Sequence, residues 1–377
     1  MFNIYGKYTG ATVYSDICDS EATSQIYGLC NHPIFEGASV KIMPDVHSGV
    51  GCTVGTTVKM NRRAVIPSVV GSDIGCGVLS VRFSRKGEID FAALDGFINK
   101  NIPYGMTVRQ TKHKNLDKRV TEAITSLSED LKMYKSREAF LRAVGSLGGG
   151  NHYIEIGRAE DGYMLSVHTG SRGIGKCVAK YFSDLADKYV VKRGLVGFDR
   201  SMPYIEGEEY DLYLAEMTRA TLAAAENRRL IARDILAFLC ADEIESFDTV
   251  HNYIEVERDG TLTIRKGAVS AKSGERLAIP LNMRDGIIIA EGLGNPDWNF
   301  SAPHGAGRIL SRREAKESLD IEQFKREMSG VVSFSVGRST LDESPMAYKP
   351  ADEILSVIGE SVKIIGIVKP LYNFKAH

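Results

Sequence analysis

The 377-residue chain lacks several features that would place it in a specialised class of proteins. Its formal net charge is only −1, so it has no overall basic field of the kind that nucleic-acid-coating proteins carry. It contains no run of about 18 apolar residues, and its N-terminal segment MFNIYGKYTG lacks the charged and apolar regions of a signal peptide. We therefore expect a cytoplasmic protein with no membrane segment, in which any polyanion site is a local patch.

Cysteine is also sparse and widely spaced. The six cysteines include no pair at C-x-x-C spacing, which argues against a disulfide framework and against a four-cysteine zinc site. We expect reduced thiols, most of them buried as small apolar side chains. Since no linker-like tract, low-complexity segment or internal repeat divides the sequence, we expect residues 1–377 to form a single domain.

Glycine is abundant and clustered. The 37 glycines concentrate in five segments: HSGVGCTVG (47–55), VVGSDIGCG (69–77), GSLGGGN (145–151), HTGSRGIG (168–175) and HGAG (304–307). Apolar, β-branched runs lie around them and predict buried strands: VVGSDIGCGVLSVRF, YMLSVHTG, TLTIRKGAVS and GIIIAEG. Helical periodicity appears at 90–100, 117–145, 176–191, 209–244 and 351–365, and a capping box starts a further helix at Ser311. The fold class predicted from these patterns is α+β.

Four of the eight histidines share one style of local sequence. His152, His168 and His251 each lie beside glycines or small polar residues at a predicted strand end. His304 lies in SAPHGAGR, where its small neighbours leave the imidazole uncrowded. Taken singly, each is more often a structural histidine than a functional one. The surroundings of His304 suit either a tight turn or a reactive ring, and Arg308 is well suited to phosphate.

Asp73 and Cys76 stand three residues apart in a glycine turn, GSDIGCG. Such a turn can direct a carboxylate and a thiolate into the same space, and with several imidazoles they would suit Zn²⁺ or another divalent transition metal. A structural interpretation, with Cys76 as a buried apolar side chain and Asp73 as a turn residue, is equally favoured by this pair alone. From ligand chemistry alone, zinc is the expected metal.

One phosphate-binding pattern competes with this interpretation. Residues 170–176, GSRGIGK, match G-x-x-x-x-G-K between a predicted strand and a predicted helix. However, Cys177 follows, where the pattern needs a hydroxyl for Mg²⁺. We therefore set aside a P-loop, while Arg172 could still contact a phosphate.

Taken in order, these segments resemble the RtcB family of RNA ligases. The matching segments run from Met43 to Lys375: MPDVHSGVG, GSDIGCG, GGGNHYIEIG, VHTGSRGIG, HNYIE, HGAGR and YNFK. The resemblance implies one large domain with mixed β-sheets around a glycine-rich central metal site and with helices outside.

The resemblance also implies an activity. Such enzymes join an RNA 3′-phosphate or 2′,3′-cyclic phosphate end to a 5′-hydroxyl end, using GTP and Mn²⁺, through a histidine–GMP intermediate. It implies that His304 is the guanylylated nucleophile. Two Mn²⁺ ions are implied, one held by Asp73, Cys76 and His152, the other by Cys76, His168 and His251. An accessory activation factor is a further expected partner.

Other positions would contact nucleotide or phosphate by the same resemblance: Asn151, Glu155, Asn252, Arg308 and Lys375, with Glu155 and Lys375 meeting guanine. Asp45 and His47 would support the metal site or the RNA end.

The chain departs from the family where many members have P-G-S-M-G, since here residues 280–284 read PLNMR. A serine expected near the nucleotide is therefore missing. We interpret the departure as the mark of a branch specialised for RNA repair rather than tRNA splicing. Two other functions stay open: a metal-dependent RNA phosphoesterase or nuclease, and a non-catalytic protein that binds RNA ends.

Overall fold

The computed structural model of the chain describes residues 1–127, 129, 131, 133 and 135–376. These residues form five β-sheets and ten α-helices, which confirms the predicted α+β class. None of the described helices has the length and apolar character needed to cross a membrane.

Eighteen strands are present in this part of the chain. In order they are β1 (Phe2–Tyr5), β2 (Gly10–Val13), β3 (Ser39–His47), β4 (Val54–Met60), β5 (Ala64–Val65), β6 (Gly77–Ser84), β7 (Tyr153–Ala159), β8 (Gly162–Thr169), β9 (Ile205–Glu206), β10 (Asp242–Val250), β11 (Asn252–Val256), β12 (Leu262–Lys266), β13 (Ala268–Ser270), β14 (Arg276–Asn282), β15 (Gly286–Gly292), β16 (Ser301–Pro303), β17 (Val362–Val368) and β18 (Pro370–Lys375).

The helices are α1 (Ser20–Cys30), α2 (Pro67–Val70), α3 (Phe91–Asn101), α4 (Lys118–Thr125), α5 (Arg137–Ala143), α6 (Ile174–Lys192), α7 (Glu208–Leu239), α8 (Arg312–Ser318), α9 (Ile321–Glu327) and α10 (Ala351–Leu355). Short 3-10 turns lie at Pro33–Phe35, Pro296–Trp298, Arg338–Glu343, Pro345–Ala347 and Ile358–Glu360.

Two large sheets carry most of the site. The first has the strand order β1-β2-β3-β4-β12-β11 and is mixed, because β2 and β3 are parallel while its other pairs are antiparallel. The second, β10-β6-β8-β7-β18, is antiparallel throughout. A three-stranded sheet, β14-β15-β17, and the pairs β13-β16 and β5-β9 complete the described strands.

Helix α7 joins the two main hydrophobic clusters. Its Met217 and Leu230 belong to the cluster that covers the first sheet, whereas Ile231 and Ile235 belong to the cluster on the second sheet. Apolar residues on two sides of one long helix therefore hold both sheets against it. The residues that meet at the site come from the ends of these elements.

Three helix predictions were wrong in extent or type. The region 117–145 holds two helices, α4 and α5, because Ser136 is extended and its hydroxyl caps a new helix by accepting from Ala139 N; positions 128, 130, 132 and 134 of that prediction lie outside the described residues. Helix α7 stops before 244, since Cys240 turns left-handed at φ 49° and β10 pairs with β6. In 351–365, only α10 and a 3-10 turn form before β17 pairs with β15.

The strand predicted across 69–83 is also only partly correct. Strand β6 begins at Gly77, and the residues before it form α2 and a tight turn. By contrast, the capping box at Ser311 is confirmed, with Ser311 and Glu314 bonded reciprocally at the start of α8. The part of the strand prediction that was wrong covers the turn that carries Asp73 and Cys76.

Arg228 connects α7 to this turn and to both neighbouring strands. Its side chain is fully buried, and it donates from Nε and Nη2 to the Asp248 carboxylate at 2.6 Å each. Its Nη1 donates to Gly75 O at 2.9 Å and to Thr169 O at 2.7 Å. The guanidinium of Arg228 therefore links α7 to β10, to the end of β8 and to the turn that carries Asp73 and Cys76.

Replacing Arg228 by Met should destabilise the protein strongly. The change leaves the Asp248 carboxylate and two carbonyl oxygens without their donor, so we expect the free energy of unfolding to fall by about 3 kcal/mol. Arg233→Met, an exposed position of the same helix, is the matched control and should change it by less than about 0.5 kcal/mol. Urea unfolding measures both, and equal losses in the two variants would contradict the assigned role.

Candidate functional site

The turn between α2 and β6 is held by close backbone contacts. Cys76 N donates to Asp73 O at 3.1 Å, and Gly75 N donates to Asn252 O at 3.0 Å. Gly75 has φ 78°, and a Cβ there would lie 2.7 Å from the Cα of Thr221 on α7. A Cβ on Gly175 of α6 would lie 2.9 Å from the Ile74 backbone. Only glycine fits at these two positions, so both helices press directly on the turn.

Two groups of potential metal ligands meet at this turn and share Cys76. In each group the donor atoms all lie within 4.8 Å of one another: Asp73, Cys76 and His152 in one, and Cys76, His168 and His251 in the other. Cys76 Sγ lies 3.4 Å from His168 Nε2 and 3.7 Å from His152 Nε2. The two groups coincide with the two ligand sets that the family resemblance implies.

The electrostatics of these groups suit a metal cation. Burial lowers the pKa of His168 and of His251 well below its ordinary value, so both imidazoles are neutral and keep a lone pair for a metal. His168 Nδ1 donates to Asn151 O at 3.1 Å, which leaves Nε2 facing Cys76. Burial raises the pKa of the Cys76 thiol, and a bound metal would displace that proton. Thiolate, imidazole and carboxylate together fit a divalent transition metal.

His304 lies beside these groups but in a different setting. It follows β16, and its ring centroid is 4.8 Å from that of His251. Its Nδ1 is 2.6 Å from Asp45 Oδ2, and its backbone N donates to the same oxygen at 3.1 Å. Because Nδ1–H donates to the carboxylate, the Nε2 lone pair is available for another group.

Asp45 is a partner that sequence reasoning did not assign to His304. It lies on β3 and is fully buried. The HGAGR loop approaches it closely, since a Cβ on Gly307 would lie 2.4 Å from Asp45 O. An acid within the apolar run VKIMPDV was the signal available in the sequence, but nothing there indicated which histidine it faces.

A cavity with an empty volume of about 920 Å³, part of which is open to solvent, lies at His304. Four of the predicted nucleotide or phosphate residues line it, namely Asn151, Glu155, Arg308 and Lys375. We call this space the Glu155 cavity. The fifth, Asn252, does not line it: its side chain donates to Asp73 O at 3.1 Å and accepts from Gly267 N at 2.9 Å.

Glu155 is buried in the wall of this cavity. Its Oε2 accepts from Asn373 Nδ2 at 2.7 Å, while its buried Oε1 has no hydrogen-bond partner among the described residues. Burial raises the pKa of Glu155 to about 8, although Asn373 and Lys375 both act to lower it. The cavity therefore presents a carboxyl oxygen that a ligand N–H could satisfy.

Glu343 organises the basic side chains on the same cavity and was missed in the sequence. Its carboxylate accepts from Lys375 Nζ at 2.7 Å, from Tyr348 Oη at 2.7 Å and from Arg312 Nη1 at 2.5 Å. Burial would raise its pKa, but Lys375 and Arg312 outweigh this and lower it to about 2. Arg308 donates to Asp342 O at 2.6 Å and to Leu310 O at 3.0 Å, so it also braces this wall.

The departing PLNMR segment forms the end of the β14–β15 hairpin on the cavity wall. Asn282 Oδ1 accepts from Arg284 N and Asp285 N, at 3.0 and 2.9 Å. Leu281 and Met283 are buried. Leu281 and Met283 therefore give this part of the wall an apolar surface beside Asn282, with no hydroxyl where the family resemblance implies a serine.

Comparison with known proteins agrees with this architecture. A family model described as "tRNA-splicing ligase RtcB" matches residues 25–376. The RNA-splicing ligase RtcB of Escherichia coli K12 is 31% identical over 379 residues, covering 92% of each chain. The chain belongs to the RtcB family. The tRNA-splicing ligases RtcB of Aeropyrum pernix and Archaeoglobus fulgidus are 27% and 25% identical, covering 84% and 94% of this chain and 83% and 91% of their own.

Membership of RtcB supports an enzyme that joins RNA. It agrees with the motif order between Met43 and Lys375 on which the resemblance was based. The cluster at Cys76 supplies a possible metal site for such an enzyme.

Because both donor groups contain Cys76, we expect its substitution to reduce metal binding more than substitution of a residue that belongs to one group only. Cys76→Ala should weaken divalent metal binding at both donor groups by at least about tenfold, whereas His152→Gln should weaken only one. Metal content after equilibrium dialysis, measured by mass spectrometry, would distinguish these effects. The control is Cys177→Ala, a buried thiol outside both groups; metal content of Cys76→Ala equal to that of this control would exclude a shared thiolate.

The raised pKa of Glu155 predicts a pH-dependent stability. Between about pH 5.5 and 7.5 the folded protein keeps a proton that the unfolded chain has released, so stability falls as pH rises, by about 1.4 kcal/mol per unit. Glu155→Gln removes this contribution. We expect urea unfolding of the metal- and nucleotide-free proteins to show a steeper fall for the wild type than for the variant; parallel curves would show that Glu155 does not titrate this way.

Proposed function

We propose that this protein is a GTP- and Mn²⁺-dependent RNA ligase that joins 3′-phosphate or 2′,3′-cyclic phosphate ends to 5′-hydroxyl ends through a histidine–GMP intermediate. The observation that carries the proposal is the setting of His304. Its Nδ1 is held by Asp45, and its ring lies between the Cys76 donor groups and the Glu155 cavity. Because side chains from Asp45 to Lys375 meet here, we also propose that residues 1–377 form one catalytic domain.

In the first step, His304 Nε2 attacks the α-phosphorus of GTP. A nitrogen–phosphorus bond forms, the bond from the α-phosphorus to the bridging oxygen breaks, and pyrophosphate leaves. The imidazole gains positive charge as the bond forms. The buried Asp45 carboxylate, 2.6 Å from Nδ1, stabilises that charge and fixes the ring orientation.

The Glu155 cavity would hold the guanine. Guanine presents N–H donors on one edge, and the buried Glu155 Oε1 is an acceptor that has no partner among the described residues. We assign Lys375 to the base as well, held in place by Glu343 and 5.2 Å from the Tyr153 ring centroid. Asn151 and Arg308 are assigned to the phosphates.

Metal ions at the two Cys76 groups would neutralise phosphate charge and polarise phosphorus–oxygen bonds when bound. The choice of two Mn²⁺ rests on the family resemblance, and the mixed donor set is compatible with it. Asn252 supports one group indirectly, because it holds the Asp73 carbonyl.

The remaining steps use the RNA ends. An oxygen of the RNA 3′-phosphate attacks the guanylyl phosphorus and releases His304, and the 5′-hydroxyl oxygen then attacks the 3′-phosphorus, loses its proton and displaces GMP. A 2′,3′-cyclic end must first take up water to give the 3′-phosphate. An accessory activation factor, a cytoplasmic location and specialisation for RNA repair remain predictions of this proposal.

The two alternatives differ from the ligase in what they require. A phosphoesterase needs the metal groups but has no need of a buried carboxyl oxygen without a partner in the wall of the cavity that His304 lines, so Glu155 favours the ligase. A non-catalytic protein that binds RNA ends is favoured only by the apolar wall at Leu281 and Met283.

Guanylylation tests the proposal directly. With α-labelled GTP and Mn²⁺, the protein should acquire acid-labile, base-stable label, His304→Gln should abolish it, and Asp45→Asn should slow it by at least about tenfold. Arg313→Gln, an exposed change on the same segment, should leave labelling intact. Label on His304→Gln would exclude this nucleophile. If no label forms with any divalent metal, RNA cleavage would indicate the phosphoesterase and its absence the binding protein.

A further inference from the structure

A second opening also reaches His304. This α6 groove has an empty volume of about 1260 Å³ and shares His47, Asn151 and His304 with the Glu155 cavity. It includes the donor residues Asp73, Cys76 and His251 but neither Glu155 nor Lys375. The groove therefore approaches the reacting atoms without crossing the guanine site.

Helix α6 forms one wall of the groove through a stripe of its side chains. Lys176, Lys180 and Ser183 line it, at the i, i+4 and i+7 positions of one helical face. Both lysines are exposed. Lys176 directly follows Gly175, the residue pressed against Ile74 in the turn that carries Asp73 and Cys76. This line of side chains therefore begins next to the turn that carries Asp73 and Cys76, and it extends away from that turn along α6.

The charge along the groove is positive outside the donor groups. Asp73 is the one acidic residue among the described groove-lining side chains, and it belongs to a donor group. Lys180 pairs with Asp184 at 3.1 Å, but the two side chains are 70% and 50% exposed. Such an exposed pair is weak and readily exchanged for a phosphate. The Glu155 cavity, by contrast, contains two buried carboxyl groups, Glu155 and Glu343.

We propose that Lys176 and Lys180 bind successive backbone phosphates of the RNA strand that ends in the 3′-phosphate. The inference rests on the proposed function, in which GTP fills the Glu155 cavity and the RNA must reach His304 by another opening. The strand with the 3′-phosphate brings the greater negative charge to the cluster, and Lys176 is the cation next to it on α6. Four helical residues advance about 6 Å, so the two ammonium groups can serve two phosphates.

Salt dependence of RNA binding tests this inference. The probe is a short single-stranded RNA with a 3′-phosphate and a 5′ fluorophore, measured by anisotropy with Mn²⁺ and no GTP between about 0.05 and 0.5 M salt. Loss of two phosphate contacts should reduce the slope of log affinity against log salt by about 1.4, and affinity at 0.1 M salt by about 25-fold. The variant is Lys176→Gln with Lys180→Gln.

The matched control removes two charges from the far end of the same helix. Lys188→Gln with Lys192→Gln, both exposed and outside the groove lining, should keep the wild-type slope. Equal losses in the two double variants would overturn the inference, as would an unchanged slope in the first. Thermal unfolding checks that both variants fold.

A second probe separates the two RNA strands. An RNA with a free 5′-hydroxyl and a blocked 3′ end should lose little affinity in Lys176→Gln with Lys180→Gln. A loss confined to this probe would overturn the strand assignment. GMP labelling of the wild-type protein uses no RNA. Failure of labelling would therefore contradict the proposed function, while the anisotropy measurements would still report whether the α6 groove binds RNA.

Discussion

The close packing of two helices on one turn is the constraint on which the site depends. Helix α6 touches the turn at Gly175 and α7 touches it at Gly75, in both cases with no room for a Cβ. The buried Arg228 adds a hydrogen bond to Gly75 O. Because Cys76 belongs to both donor groups, a shift of this turn would disturb both together. The two sheets and α7 therefore hold the irregular segment 71–76 in position.

Five histidines lie at the site, and the partners of two of them, His168 and His304, differ in kind. His168 donates from Nδ1 to a peptide oxygen, Asn151 O, and burial keeps it neutral. His304 instead faces the Asp45 carboxylate. The peptide oxygen favours the imidazolium of His168 only slightly, and burial outweighs it, whereas a carboxylate strongly stabilises the charge that would appear when Nε2 forms a bond. The same side chain can therefore serve as a ligand in one place and a nucleophile in another.

Motif order and glycine placement made much of the site predictable. The α+β class and the capping box at Ser311 follow from local signals in the sequence, whereas the two groups at Cys76 were implied by the resemblance to the RtcB family. Glu343 and the facing of Asp45 toward His304 follow from neither, because each depends on contacts between distant segments. By contrast, β17 has a local strand signal that the helix predicted at 351–365 overlooked, because five of its seven residues are valine or isoleucine.

The two openings at His304 differ in the way their charges are held. In the Glu155 cavity, Lys375 and Arg312 are fixed on the buried Glu343 carboxylate, so the basic groups are preorganised for one ligand geometry. On the α6 groove, Lys176 and Lys180 are exposed, and the exposed pair of Lys180 with Asp184 holds its ammonium group only weakly. A fixed array suits a single nucleotide of constant shape. Exposed lysines suit a strand whose sequence varies but whose phosphates do not. Fixed charges in the cavity and exposed charges on the groove could therefore serve one reaction.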